Sequence, residues 1–148
     1  MEMQKVQRGR LVDHVQLVVK DLAASRTFYE KTLGVLGIEI DFEGPGMFGA
    51  DELAVSTADS EAAQGRLTGP THLAFQAKNE AQVQAWYDAG LKAGGTDNGA
   101  PGERDQYHPG YYAAFLLDPD GNNVEAVYHG AHERSAPSIE IAFDAPGG

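Results

Sequence analysis

The chain has 148 residues, of which 42% are apolar, and its 22 acidic and 11 basic side chains give a net charge of −11. Such a composition predicts one globular domain with a buried core, and the negative charge excludes a surface for nucleic acid or anionic membrane. The sequence contains no cysteine, which excludes disulfides, thiolate metal ligands and a cysteine nucleophile.

No apolar run reaches the roughly 18 residues of a membrane span, and the first ten residues do not resemble a signal peptide. We therefore expect a cytoplasmic protein whose partner is a small molecule.

The segment 11–60, which follows an N-terminal extension of residues 1–10, predicts one strand, one helix and three short strands. "VDHVQLVV" is rich in β-branched residues, and Asp21 can cap a helix that ends near Gly34 and Gly37. The short strands "IEIDF", "MFGA" and "ELAVST" follow, with turn residues between them.

The segment 70–130 repeats this order. The strand "HLAFQA" leads to Asn79, a helix cap with Gln82 as its capping-box partner, and the helix ends near Gly94. "TDNGAPGERDQYHPG" predicts a long loop, whereas "YYAAFLL" and "NVEAVYH" predict strands on either side of a turn at 118–121. Residues 131–148 form a tail with one short strand-like piece at 139–143.

The two segments align without a gap when the sequence is shifted by 58 positions. Six of the 24 positions from His14 are then identical, beginning with His14 over His72 and including Tyr29 over Tyr87. This internal repeat predicts an α+β protein built from two βαβββ modules.

Strand alternation predicts which side chains face away from the helices. Val15, Leu17 and Val19 form the apolar face of the first strand, so His14 points to the other face. The same alternation in the second module turns His72 and Glu125 away from the helix. A carboxylate in a buried strand is costly unless it is paired or bound to a cation.

Two histidines and one glutamate that converge from three strands are a usual ligand set for a divalent ion with open positions. We therefore predict that His14, His72 and Glu125 bind one divalent metal ion, which Zn, Ni, Mn, Fe and Co would all suit. The alternatives are hydrogen-bonded structural histidines, or a polar cavity that binds an organic ligand without metal.

The segments "DHVQLVV…FYEKTLGVLG", "HLAFQA" and "DPDGNNVEAV" resemble the vicinal oxygen chelate superfamily, which includes glyoxalase I, extradiol dioxygenases, fosfomycin-modifying enzymes and bleomycin-resistance proteins. The resemblance implies a cup-shaped, eight-stranded barrel around a divalent metal, with His14, His72 and Glu125 as ligands. Ala54 stands where glyoxalase I has a further glutamate ligand, so that reaction is not implied. Glu52, two residues earlier on the same face, is the alternative to that ligand.

The resemblance implies a lyase or isomerase that binds the vicinal oxygens of a small substrate. The alternatives are a ring-cleaving dioxygenase and a metal-free drug-binding protein. Cups of this family form within one chain or between two copies, and we expect a homodimer. The expected catalytic residues are Tyr112, Tyr107 and His108, and the expected substrate-pocket residues are Gln16, Gln76 and Arg104.

Overall fold

The structure is a computed structural model that describes residues 3–135 and 139–144. It contains two helices and ten strands within these ranges. In chain order they are β1 Met3–Arg8, β2 Val15–Val18, α1 Leu22–Val35, β3 Phe42–Gly44, β4 Met47–Ala50, β5 Leu53–Ser56, β6 His72–Gln76, α2 Glu80–Lys92, β7 Thr96–Glu103, β8 Tyr112–Leu117, β9 Asn123–Tyr128 and β10 Ile139–Asp144.

The strands form two equivalent four-stranded sheets. The first sheet has the order β2-β5-β4-β3 and the second has the order β6-β9-β8-β7. In each sheet the strand that precedes the helix pairs in parallel with the last strand of the module, and the other pairings are antiparallel. The α+β class and the paired βαβββ architecture are confirmed. No strand pairing joins the two sheets within the described ranges.

The helical sides of the two modules share one hydrophobic core. Helix α1 packs against α2, and the core includes Leu17 and Phe28 from the first module with Trp86 and Leu116 from the second. The opposite face of each sheet is therefore directed away from this core. Strand β6 shows the consequence, because His72, Ala74 and Gln76 are exposed and alternate with partly buried residues.

Both helices begin at the predicted caps. The side chain of Asp21 accepts a hydrogen bond from the backbone N–H of Ala24, and that of Asn79 accepts one from Gln82. The Gln82 side chain accepts from the backbone N–H of Lys78, one residue before the predicted capping-box donor. Neither helix of the described chain is both long and apolar enough to cross a membrane.

Two predictions for the strands were wrong. Strand β3 begins only at Phe42, so most of "IEIDF" lies outside it. The predicted long loop contains β7, an edge strand whose pairing with β8 shifts register on both sides of Gly99. Its glycines and Pro101 suit an irregular edge strand, where a missing side chain or N–H is tolerated. The same residues are typical of loops, which is why the sequence predicted a loop here.

Alternation in "YYAAFLL" predicted that Ala113, Phe115 and Leu117 pack under the helix and that Tyr112 points into the cup, and the structure shows the reverse. Ala114 and Leu116 lie in the shared core and Tyr112 packs against it, so Tyr112 does not point into the cup. Both faces of "YYAAFLL" are apolar, and alternation alone could not rank them. Packing against α2 determines which face is buried. Leu116 lies so close to the helix that a Cβ on Gly90 would be 2.2 Å from its Cδ1.

The two terminal segments of the chain form a separate ribbon. Strand β10, predicted as a strand-like piece at 139–143, pairs in antiparallel fashion with β1 in the register Arg8↔Ile139 to Met3↔Asp144. The N-terminal partner was not predicted.

Candidate metal and substrate site

The most unusual buried group on the outward face of the second sheet is the carboxylate of Glu125. Glu125 is only 2% exposed, and on β9 it pairs with Ala74 of β6 and with Phe115 of β8. The side chains of His72 and Tyr111 bond to its two oxygens. We call His72, Tyr111, Phe115 and Glu125 the Glu125 cluster.

Both ring nitrogens of His72 are in contact with oxygen atoms of β9. Nδ1 lies 3.1 Å from the backbone carbonyl of Asn123, which can only accept, so Nδ1 carries the hydrogen. Nε2 lies 2.9 Å from Oε1 of Glu125, another acceptor. This separation suits a hydrogen bond between the two groups, and it would also let both atoms bind one cation. The His72 ring also stacks on Phe115, with 6.1 Å between centroids.

Tyr111 completes the hydrogen bonding of the carboxylate. Its hydroxyl donates to Oε2 of Glu125. Burial raises the pKa of Tyr111 well above its usual value, and the hydrogen bond and charge of Glu125 raise it further. The phenol therefore stays protonated and remains a donor at neutral pH.

His14 has a related arrangement on the first sheet. Its Nδ1 lies 2.6 Å from Oδ1 of Asp13, and the hydrogen bond from His14 is the main reason that the pKa of Asp13 is lowered. Because the carboxylate accepts a hydrogen bond from Nδ1, Nε2 is the ring nitrogen whose lone pair is available to a ligand. A carboxylate that orients a histidine in this way is typical of metal ligands. The side chain of His14 is 56% exposed.

A cavity of about 350 Å³ lies beside His14. Its lining includes Ala54, in agreement with the predicted direction of that side chain, and Gln16, whose amide donates to the hydroxyls of Ser56 and Ser60. Arg8 and Ile141 of the terminal ribbon also line it. The tail thus contributes a wall to the His14 side of the molecule.

The single chain brings together two of the three predicted ligands. His72 and Glu125 are in contact, but no group of three or more histidine, aspartate or glutamate side chains is close enough to hold a metal ion in the described ranges. His14 therefore stands apart from the pair.

Tyr107 and His108 lie beside the Glu125 cluster. The ring of Tyr107, a residue 59% exposed, packs on Tyr111 at 4.8 Å between centroids. His108 meets Tyr111 edge to face and places Nε2 2.8 Å from Nδ1 of His129. Tyr107 and His108, which were predicted as catalytic residues, therefore pack around Tyr111, a residue to which the sequence analysis assigned no role.

The remaining predicted residues have different surroundings. The guanidinium of Arg104 lies over the ring of Phe115 at 5.4 Å and donates to the carbonyl of Ala100. The hydroxyl of Tyr112 accepts a hydrogen bond from Gln84 of α2, on the helical side of the sheet. Gln76 lines a second cavity, of about 600 Å³, together with Leu33, Leu53 and Leu73.

The turn between β4 and β5 contains Asp51 and Glu52, and we call it the acidic hairpin. Asp51 lines both cavities, and Glu52 lines the larger one. Burial raises the pKa of Asp51 to about 6, with further contributions from the charges of Glu52 and Asp41, whereas Arg8 opposes the shift. Asp51 also has a positive φ of 48°.

A family model described as the Glyoxalase/Bleomycin resistance protein/Dioxygenase superfamily matches residues 11–126. A glyoxalase/bleomycin resistance protein from Albidiferax ferrireducens is 32% identical, covers 79% of this chain and 98% of its own, and has a TM-score of 0.69. None of the curated proteins compared matches the chain.

Two further solved structures show the fold alone. A glyoxalase/bleomycin resistance protein/dioxygenase family enzyme from Burkholderia phytofirmans is 24% identical over 78% of this chain and 95% of its own, with a TM-score of 0.62. A lactoylglutathione lyase from Agrobacterium tumefaciens is 21% identical over 80% of this chain and 93% of its own, with a TM-score of 0.57.

Proposed function

The chain belongs to the glyoxalase/bleomycin resistance protein/dioxygenase superfamily, and from that premise we propose that it is a divalent-metal-dependent enzyme of the lyase or isomerase type. Its substrate is a small molecule that binds through two vicinal oxygens, and the enzyme acts in the cytoplasm as a homodimer. The lactoylglutathione lyase of similar fold is a member with such chemistry in its name. The missing glutamate at Ala54 directs the proposal away from that particular reaction.

The contact between His72 and Glu125 carries the proposal. A buried carboxylate faces an imidazole nitrogen across 2.9 Å while the other ring nitrogen is occupied by a carbonyl. A divalent cation between the two groups would satisfy both lone pairs and offset the cost of burying the charge. Imidazole and carboxylate are a donor set suited to Zn, Ni, Mn, Fe and Co.

The third ligand, in this proposal, comes from a second copy of the chain. The Glu125 cluster lies on the outward side of the second sheet, His14 immediately precedes β2 and lines the cavity with Gln16 and Ala54, and one chain does not group the two. When the first sheet of one copy faces the second sheet of another, a two-fold axis generates two equivalent sites. Each site then contains His14 from one copy and His72 with Glu125 from the other.

The bound ion would act as a Lewis acid that stabilises negative charge developing on the chelated oxygens of the substrate. The chain supplies the surroundings. Phe115 and the ring of Tyr111 form an apolar wall beside Glu125, and the imidazoles of His108 and His129 lie at the rim, where they can accept or donate a proton.

The aromatic wall favours one second candidate, a ring-cleaving dioxygenase, because Phe115, Tyr111 and Tyr107 suit a planar aromatic substrate. Oxygen uptake that requires iron(II) would identify it. A third outcome, metal-free drug binding, is indicated if the purified protein contains no metal and cannot be reconstituted.

The test is elemental analysis of protein purified without chelator, combined with light scattering to measure its mass. We expect one metal ion per chain in the wild-type dimer and none in the His14→Ala, His72→Ala and Glu125→Gln variants. His132→Ala, which changes an exposed histidine away from the cluster, should keep its metal.

A mixed dimer locates the third ligand. A heterodimer of one His14→Ala chain and one His72→Ala chain contains one intact site if each site is shared between copies. We therefore expect one metal ion per heterodimer. If the heterodimer is as metal-free as both parents, the shared site is wrong.

A further inference from the structure

The carboxylate of Glu125 is held at both oxygens by two different side chains. Oε1 faces Nε2 of His72 at 2.9 Å, whereas Oε2 accepts the hydroxyl proton of Tyr111. The residue is buried, so water cannot readily replace either partner. The direction of the carboxylate plane is therefore set by where Tyr111 stands.

The backbone of Tyr111 is fixed on both sides. Its N–H donates to the carbonyl of His108 and its carbonyl accepts from the N–H of Arg104, at 3.1 and 2.8 Å. Gly110, with φ of 89°, lies directly against Gly130, and a Cβ on Gly130 would be 3.4 Å from the Gly110 carbonyl oxygen. Both glycines have a positive φ, 89° at Gly110 and 82° at Gly130, so a side chain at either position would strain the backbone.

Three neighbouring rings enclose the Tyr111 ring. Tyr107 lies at 4.8 Å between centroids, His129 at 5.2 Å and His108 at 5.4 Å, and both histidines meet it edge to face. Such packing restricts rotation of the side chain. Tyr111 thus presents its hydroxyl from a fixed backbone and a fixed ring.

We infer that Tyr111 is the positioning residue of the site, which binds Oε2 of Glu125 so that Oε1 alone is offered to the cation beside His72. The inference rests on the proposed function, since it concerns the same metal site. It predicts that Glu125 is a monodentate ligand, bound through one oxygen, and that the Glu125 cluster is already formed in the metal-free protein. Loss of an oriented partner of this kind typically weakens metal binding by about 10- to 100-fold.

The test compares Tyr111→Phe with the control Tyr87→Phe, which removes a hydroxyl that bonds to Asp97 at the surface. Zinc and manganese affinities are measured by titration of metal-free dimer, with circular dichroism to verify folding. We expect affinity to fall about 10- to 100-fold in Tyr111→Phe and to change less than about threefold in Tyr87→Phe. Equal affinities in the two variants would overturn the inference.

Infrared difference spectra supply a readout that does not need metal. Loss of the hydrogen bond from Tyr111 should shift the carboxylate stretch of Glu125 in metal-free protein, and Glu125→Gln identifies that band by removing it. On metal binding, the separation of the two carboxylate stretches should indicate one-oxygen ligation in wild type and a changed mode in Tyr111→Phe.

The two proposals can fail separately. If wild type binds no metal but the carboxylate band moves in Tyr111→Phe, the proposed function is wrong and the positioning contact is real. If wild type binds metal and the band is unchanged in Tyr111→Phe, the positioning role is wrong and the metal site remains.

Discussion

The hydroxyl of Tyr29 donates a 2.5 Å hydrogen bond to Oδ2 of Asp118, and this contact joins helix α1 of the first module to the turn between β8 and β9 of the second. Both residues are buried. Oδ1 of Asp118 accepts two backbone N–H bonds from its own turn, from Asp120 and Asn122. The two modules are thus connected by polar bonding as well as by the shared core.

Removal of the Tyr29 hydroxyl should destabilise the protein. Tyr29→Phe leaves a buried carboxylate with one fewer donor, and we expect the free energy of unfolding to fall by about 1.5–3 kcal/mol. The repeat offers a matched control in Tyr87→Phe, since the Tyr87 hydroxyl bonds to Asp97 at the surface. That variant should lose less than about 0.5 kcal/mol. Urea denaturation measures both values, and equal losses would contradict the importance of the buried contact.

The proposed metal ligands should differ in how much their loss destabilises the metal-free protein. His72→Ala removes a partner of the buried Glu125, so we expect the free energy of unfolding to fall by about 1–3 kcal/mol. His14→Ala changes an exposed side chain and should cost less than about 0.5 kcal/mol. Thermal unfolding in the presence of chelator tests the contrast. A large loss in His14→Ala would mean that this histidine supports the fold of the single chain.

The acidic hairpin should make stability depend on pH. The pKa of Asp51 is about 6 in the folded protein against an ordinary value of 3.8, so the native state binds more protons between these values. Stability therefore rises as pH falls from above 6 towards 4.

The substitution Asp51→Asn removes the charge, and asparagine tolerates the positive φ of this residue. After allowance for partial exposure, we expect a gain of about 1–2 kcal/mol at pH 8 and a flatter profile between pH 4 and 7. The control is Asp88→Asn on the exposed side of α2. Parallel pH profiles for Asp51→Asn and wild type would show that Asp51 titrates normally.

The contact between α2 and β8 should not tolerate an added methyl group. A Cβ on Gly90 would lie 2.2 Å from Leu116 and 3.2 Å from Thr32, so Gly90→Ala should destabilise the protein by about 1–3 kcal/mol. Gly34→Ala on α1 meets nothing within 4 Å. It should stabilise the protein by about 0.5–1 kcal/mol through helix propensity. Calorimetry should show a lower melting temperature for Gly90→Ala and a higher one for Gly34→Ala than for wild type.

Much of the fold could be predicted because the repeat sets the order of elements twice. The helix caps at Asp21 and Asn79 and the buried faces of β2 and β6 follow from local hydrogen bonding and alternation. The faces of β8 could not be assigned from the sequence, since both are apolar. The side chain of Leu116 packs where Gly90 of α2 has no Cβ, and this contact cannot be read from β8 itself. Strand β7 was missed because its bonding depends on a neighbouring strand rather than on its own glycine-rich sequence.

The site could be predicted where strand alternation applied. His72 and Glu125 face the same side of neighbouring strands, and they meet as expected. Tyr111 precedes β8, so its direction depended on the assignment of that strand. Once Phe115 is known to face outward, Tyr111 follows four residues earlier on the same side. The location of His14 relative to the pair was beyond local reasoning, since it depends on how the sheets are arranged.

The irregular outer strand β7 limits how the second sheet can be extended. A regular sheet edge invites strands of other molecules and leads to aggregation. Here the register shifts around Gly99 and the missing N–H of Pro101 interrupt the row of donors and acceptors on that edge. Sheet extension through β7 is thereby disfavoured, so a crowded solution of this protein should not form fibres that grow along that edge.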